Sequence, residues 1–161
     1  MTDLTIRAYE PRDYERAREL FGSVDELHRE RVPWMFKAPD REPRPVEYLE
    51  TQVIANDGAL LVAVEGGGEV VGAVVILMRS APDFPIFVQQ RWGVIDSLVV
   101  APTHRRNKVA TRLLHAAEAW IKARGASWLE LNVYDVNVEA RAFYAAVGYL
   151  PFIHRIRKSL G

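Results

Sequence analysis

Between Arg105 and Thr111 the sequence reads RRNKVAT, and no acidic residue stands between Ser97 and Ala117. An apolar run precedes this basic stretch, and an amphipathic helical pattern follows it. The backbone N–H groups at the start of a helix point outward without intrahelical acceptors, and the helix dipole favours an anion there. Arg105, Arg106 and Lys108 add cations, and guanidinium groups suit phosphate oxygens in particular. The chemistry this stretch can do is to hold a phosphate or pyrophosphate between Arg105 and Thr111. A solvated basic loop is the other reading of the same residues. His104 lies in this loop and is read as an ordinary loop histidine. His28, His115 and His154 show no metal-ligand spacing. Gly66-Gly67-Gly68 precedes a strand pattern rather than a helix, which makes it a hairpin turn and not a phosphate cradle. The chain has no cysteine, so disulfides, thiolate metal sites and a cysteine nucleophile are excluded.

The elements that must position this turn can be read from periodicity. Residues 4–9 form a short strand. Pro11 suits a first helical turn, and Tyr14, Ala17, Leu20, Phe21 and Val24 follow at helical spacing. Four prolines in residues 33–45 make a loop. Val46, Leu49, Val53 and Ile54 mark a second helix, closed by the turn signal Asp57-Gly58. Residues 59–65 and 69–79 form a hairpin around the three glycines, followed by a second proline-containing loop at 81–85. A strand at 94–100 leads into the basic turn. Val109, Leu113, Ala117, Trp120 and Ile121 give one face of a helix, which Lys122, Arg124 and Gly125 end. A strand at 128–134 follows, then a short helix capped by Asn137 and closed by Gly148, then a last strand at 149–158. The order β-α-α-β-β-β-α-β-α-β predicts an α+β fold with a mixed central sheet flanked by helices. The β-α-β stretch across 94–134 should be a right-handed parallel crossover.

The 161 residues make one domain, 1–161, with 49% hydrophobic and 26% charged residues, ordinary globular values that exclude extensive disorder. Twenty-one basic and twenty-one acidic residues give zero formal charge, which argues against a dedicated nucleic-acid binder. The first fifteen residues carry charges where a signal peptide would need an apolar stretch, and no apolar run approaches the roughly 20 residues that span a bilayer. A cytoplasmic protein with no membrane or nucleic-acid partner is expected. A homodimer is compatible with exposed strand edges.

Two segments carry a resemblance. Val100, Pro102, Arg105 and Ala110 fit the outline V-x-P-x-x-R/Q-x-x-G-x-G/A, the acyl-CoA-binding motif of the GNAT acyltransferase superfamily. Asn137, Ala140, Phe143, Tyr144, Gly148 and Tyr149 resemble that family's second signature, N-x-x-A-x-x-F-Y-x-x-x-G-F/Y. The element order is similar along the whole chain. Lys108 departs from the pattern, standing where the family usually has glycine. Glycine there lets the backbone approach a pyrophosphate closely. With ordinary helical dihedrals Lys108 would carry no strain, and its ammonium could reach a phosphate instead.

The resemblance implies a single GNAT-like domain that moves an acetyl group directly from acetyl-CoA to an amine of a small molecule or peptide. Leu98, Val99 and Val100 would pair with the pantetheine arm like an added strand, the Val99 amide donating to the thioester carbonyl. The turn Arg105, Arg106, Asn107, Lys108, Val109, Ala110, Thr111 would hold the pyrophosphate, and Asn137 would contact the cofactor arm. Tyr144 would assist the leaving thiolate. An ordinary thiol pKa is about 8.5 and that of tyrosine about 10, so a hydrogen bond is easier than full proton donation unless the tyrosine pKa falls. Asp96, on the strand before the motif, would be the base, directly or through water. Trp34, Phe36, Phe84, Phe87 and Trp92 lie in or beside the proline-containing loops that border the acceptor cleft in this family. They suit an acceptor with an apolar part, or ordinary loop anchoring. The alternative function is a non-catalytic acyl-CoA-binding or sensing domain. A dinucleotide-binding oxidoreductase lacks the G-x-G-x-x-G turn it would need.

Overall fold

Apolar residues run almost unbroken through the two middle strands, and a strand whose two faces are both apolar needs a cover on each side. The computed structural model, which describes residues 3–161, has that arrangement. Strands β1 (Leu4–Ala8), β2 (Ala59–Glu65), β3 (Val70–Ser80), β4 (Arg91–Val100) and β5 (Leu129–Leu131) form one sheet in the order β1-β2-β3-β4-β5. The first four are antiparallel neighbours, and β4 pairs with β5 in parallel. Helices α1 (Tyr14–Arg31) and α2 (Val46–Tyr48) lie between β1 and β2, α3 (Val109–Lys122) joins β4 to β5, and α4 (Val138–Ala146) follows β5. The chain continues from α2 as a π-helical stretch over Leu49–Ile54, where the Ala55 amide reaches back to the Glu50 carbonyl at 2.8 Å.

Period-two alternation sorts the sheet into two cores. Leu61, Ala63, Val71 and Ile76 face α3, packing with Leu113, Leu114, Ala117 and Ile121. Leu60, Val62, Ala73 and Val75 face the opposite way, toward Ala17, Leu20 and Phe21 of α1 and toward Leu49 and Val53. Each valine, leucine, isoleucine or phenylalanine among them contributes roughly 1.5–3 kcal/mol on full burial. Two glycines set how closely α3 can lie. A Cβ on Gly72 would sit 3.0 Å from Leu113 and 3.1 Å from Val109, and one on Gly93 would fall 2.3 Å from Ile121. Their bare backbones let the first and last turns of α3 press onto the sheet, and the first turn is the one that follows the basic loop.

The expected elements and their order are present up to α4. The last strand expected at 149–158 is absent. Residues 151–161 carry no regular structure and are exposed throughout. A strand needs a neighbouring edge for its backbone groups, and within this chain the segment lies outside the sheet. The strand expected at 128–134 shrinks to three residues for a related reason, because its pairing with β4 stops early. Among the described residues no helix is long and apolar enough to cross a membrane.

Candidate functional site

The early end of that pairing opens the sheet. β4 and β5 are in register only at Gly93, Val94 and Ile95, opposite Leu129, Glu130 and Leu131. Beyond Ile95, β4 runs on to Val100 paired with β3 alone. A wedge therefore opens between β4 and β5 over residues 96–100. The register decides which groups face it. The Ala101 amide donates to the Val71 carbonyl at 2.8 Å, and Val99 lies opposite Ala73. Hydrogen-bonded and non-hydrogen-bonded pairs alternate in an antiparallel ladder, so Val99 directs its backbone groups to β3. Leu98 and Val100 turn theirs toward the wedge. The Val99 amide, expected to donate to the thioester carbonyl, is directed at β3 instead.

Asp96 occupies a bulge. Ser97 faces Val75 and Ile95 faces Ile76, leaving Asp96 as the extra residue on β4. Bulges re-aim a side chain and end pairing, and this one coincides with the start of the wedge. The Asp96 carboxylate is exposed and accepts from the Ser97 hydroxyl at 3.3 Å. It also contributes to the attraction that raises the pKa of Arg44, whose largest cause is the ion pair Arg44 makes with both oxygens of Asp25. The proline-rich loop that carries Arg44 therefore lies within electrostatic reach of the bulge.

At the far end of the wedge the chain turns through Pro102–His104 and enters α3. Arg106 and Lys108 both have positive φ, 67° and 60°. Left-handed residues between right-handed ones fold successive amides into a concave, anion-accepting nest. The first amide of α3 with a helical acceptor is that of Arg112, bonded to the Lys108 carbonyl at 3.0 Å. The amides of Val109, Ala110 and Thr111 precede it and have no acceptor within the helix. Arg105, Arg106 and Lys108 are exposed, and no ion pair among the described residues includes them. Lys108 is left-handed rather than helical, so the strain-free condition set out from the sequence is not met. By contrast, an open recess of about 580 Å³ beside Arg7, Arg12 and Arg16 has its cations bound to Asp13, Glu10, Glu19 and Glu69. His104 lies 3.2 Å from Glu65 and has its other ring nitrogen on Thr103, a structural arrangement.

Two further residues come from α4. Asn137 is its N-cap, the side-chain oxygen accepting from the Ala140 amide at 3.3 Å and from Arg31 at 3.0 Å. Both bonds use Oδ1, so Nδ2 remains a donor. Tyr144 packs half-buried against Phe143 and Tyr149, with ring centroids at 5.3 and 5.6 Å. Its hydroxyl has no hydrogen-bond partner among the described residues. Burial pushes its pKa up to about 12, which keeps the phenol protonated as a donor.

Sequence reasoning passed over Arg31, which stands 106 positions from the Asn137 it orients; no local signal links them. It also passed over an aromatic cluster. His28 stacks on Phe36 at 5.6 Å, and Tyr134 sets its edge against both at 5.4 and 5.5 Å. Burial, ahead of neighbouring arginines, lowers the His28 pKa, so the imidazole is neutral at pH 7. Of the flagged loop aromatics, Phe36 joins this cluster, Trp92 stacks on Trp128 at 6.0 Å, and Phe84 meets Phe87 at 6.4 Å. Trp34 remains exposed.

The model of a family described as the acetyltransferase (GNAT) family matches residues 23–149. Aminoalkylphosphonate N-acetyltransferase of Salmonella typhimurium is 33% identical over 93 residues, 58% of each protein. Streptothricin acetyltransferase A of Bacillus subtilis is 35% identical over 63 residues, 37% of this chain and 36% of that one. The chain thus spans about a third to three fifths of the curated relatives it matches. A mutant of the BH1408 protein from Bacillus halodurans superposes with a TM-score of 0.90 at 25% identity, over 97% of this chain and 99% of that one.

Proposed function

The chain belongs to the acetyltransferase (GNAT) family, and we propose that it is an acyltransferase that moves an acetyl group from acetyl-CoA directly to an amine of a small molecule or peptide. The observation that carries this reading is the wedge between β4 and β5 opening beside a nest of unbonded amides and unpaired cations. A thioester carrier has matching parts in the same order: a diphosphate, an amide-bearing arm and an acyl end. The amides from Arg106 to Thr111, with Arg105, hold the diphosphate. The backbones of Leu98 and Val100 pair with the arm as a missing strand would, and Nδ2 of Asn137 donates to it.

The acceptor amine, once neutral, attacks the thioester carbon. Electrons move onto the carbonyl oxygen, where a wedge-facing amide, that of Leu98 or Val100, donates; such a donor is typically worth about 2.7–4 kcal/mol. Asp96 takes the amine proton, directly or through one water. The C–S bond then breaks, and the thiolate accepts a hydrogen bond from Tyr144. With the phenol near 12 and an ordinary thiol near 8.5, handing over the proton would be uphill by about 5 kcal/mol, so Tyr144 stabilises the thiolate without ionising. The loop aromatics favour an acceptor with an apolar portion. Two curated relatives named for acetyl transfer, one of them to aminoalkylphosphonates, are consistent with an amine acceptor.

A thermal-shift titration tests the donor. Acetyl-CoA and CoA at about a hundred times Kd add roughly 2.7 kcal/mol and should raise Tm by about 5–10 °C, while NAD leaves it unchanged. A flat response to CoA, or an equal response to NAD, refutes the reading. An acceptor panel followed by release of free thiol then tests transfer. If Tyr144→Phe lowers turnover at unchanged CoA affinity, Tyr144 acts in the chemistry. If the unmutated chain acylates no amine in the panel, a sensing domain is the better account.

A further inference from the structure

A phenol that stabilises a leaving thiolate must point in one direction, and two rings pack against that of Tyr144. Phe143 lies 5.3 Å away at a tilt of 57°, and Tyr149 lies 5.6 Å away at 58°. Phe143 belongs to the same helix. Tyr149 comes from beyond the end of α4. Gly148 turns the chain at φ 96°, and the Tyr149 amide returns to the Tyr144 carbonyl at 2.9 Å. The second ring therefore sits on a segment that runs into residues without regular structure.

What ties this segment down is a single hydroxyl. The Tyr149 phenol donates to Glu118 Oε1 at 3.2 Å, across 31 positions of sequence. Among the described residues it makes the one hydrogen bond between residues 147–161 and anything before α4. The half-buried Glu118 carboxylate has no cation and no other hydrogen-bond donor among the described residues. Burial, ahead of the charge of Glu118, raises the Tyr149 pKa, so the hydroxyl stays protonated and donating. A phenylalanine at this position would supply the ring without the tether. Glu118 lies on α3, the helix whose first amides complete the anion-accepting nest.

We propose, on the reading that Tyr144 meets the thiolate, that Tyr149 is a positioning residue: its bond to Glu118 fixes the Tyr144 ring with the phenol aimed at the departing sulfur, and so couples the helix that holds the diphosphate to the group that receives the thiolate. No bond is made or broken at Tyr149 itself. Without the tether the Tyr144 ring is free to leave its productive rotamer for other staggered wells. The donor is then aimed for a fraction of the time, which should lower kcat by about 3–10-fold.

Fluorine NMR of the chain labelled with 3-fluorotyrosine reads the Tyr144 ring directly, its resonance identified by its loss in Tyr144→Phe. In the parent chain that resonance should be single and should move on addition of CoA. Tyr149→Phe should broaden or split it and weaken its response to CoA, with CoA affinity by calorimetry unchanged. Glu118→Ala should do the same. Glu118→Gln, whose amide oxygen still accepts the phenol proton, should restore the parent spectrum. In assays of thiol release from acetyl-CoA, the loss of kcat in Tyr149→Phe should vanish in a Tyr144→Phe background. A Tyr144 resonance untouched by Tyr149→Phe, equal disturbance by Glu118→Gln and Glu118→Ala, or a kcat loss that persists without the Tyr144 hydroxyl overturns the positioning role. A parent resonance that ignores CoA refutes the reading of Tyr144 itself, and the positioning role falls with it.

Discussion

Lys108 stands in a left-handed conformation, φ 60° and ψ 12°, at the residue that caps α3. For an L-residue that conformation costs roughly 1–2 kcal/mol, from the clash of Cβ with the following carbonyl oxygen. Glycine does not bear this cost but loses more chain entropy on folding, about 0.4–1 kcal/mol relative to alanine. The difference leaves Lys108→Gly more stable than Lys108→Ala by about 0.5–1 kcal/mol. For a chain of this size 1 kcal/mol moves Tm by about 2–4 °C, so the two variants should melt about 1–4 °C apart with glycine higher. Alanine is the right reference, because both variants lose the same charge and differ only in Cβ. Thermal unfolding followed by circular dichroism, without ligand, measures the difference. A titration of both with CoA then reads what the side chain does to the diphosphate: glycine should bind more tightly than alanine, since the backbone can come closer. If the alanine variant melts as high as the glycine variant, the turn is not held left-handed at Lys108, and the nest assigned to the amides after Arg106 loses its geometry.

Gly93→Ala should lower stability by about 1–3 kcal/mol, because its Cβ would intrude on Ile121; urea unfolding that shows no loss would mean α3 sits further from the sheet. Asn137→Ala removes the cap of α4 and one partner of Arg31, which should cost about 1 kcal/mol and also weaken CoA binding measured by calorimetry; a stability loss with full affinity would confine Asn137 to capping. The raised pKa of Tyr144 makes a stabilising contribution that is complete below pH about 10 and disappears as pH climbs toward about 12, because the unfolded chain gives up that proton first. About 2–3 kcal/mol is at stake, and Tyr149 shifts in the same direction. Urea midpoints at about pH 8 and about pH 11 should therefore converge in Tyr144→Phe relative to the parent chain; an undiminished alkaline loss would place the hydroxyl in solvent. The lowered pKa of His28 acts on the acid side: its contribution is complete above about 6.5 and lost as pH falls. A His28→Phe variant should show a shallower decline in Tm below neutrality, and an identical decline would remove the imidazole from the buried cluster.

Most of the fold could be read from local pattern. The basic turn, the amphipathic run after it and the Asn137 cap are contiguous features, and β2 and β3 are legible as near-continuous apolar runs because both of their faces are buried. What escaped depends on register or on distance along the chain. Whether Val99 or its neighbours face the wedge turns on which rungs of the β3–β4 ladder are bonded, and a strand pattern does not encode that. The Arg31–Asn137 bond and the cluster of His28, Phe36 and Tyr134 join segments about a hundred residues apart. The left-handed Lys108 was hidden by its side chain, since lysine advertises charge and not conformation. Residues 149–158 have the alternation of a strand, but alternation does not supply an edge to pair with.

Only three rungs tie β5 to the rest of the sheet. A strip so lightly fastened is the first part of the ladder to come loose, and its amides should trade hydrogen with solvent sooner than those of β2 or β3. Any guest that knits across the opening would fasten the strip as it settles, so occupancy and local rigidity are linked quantities, and slowed deuterium uptake at residues 129–134 becomes a gauge of filling that needs no turnover.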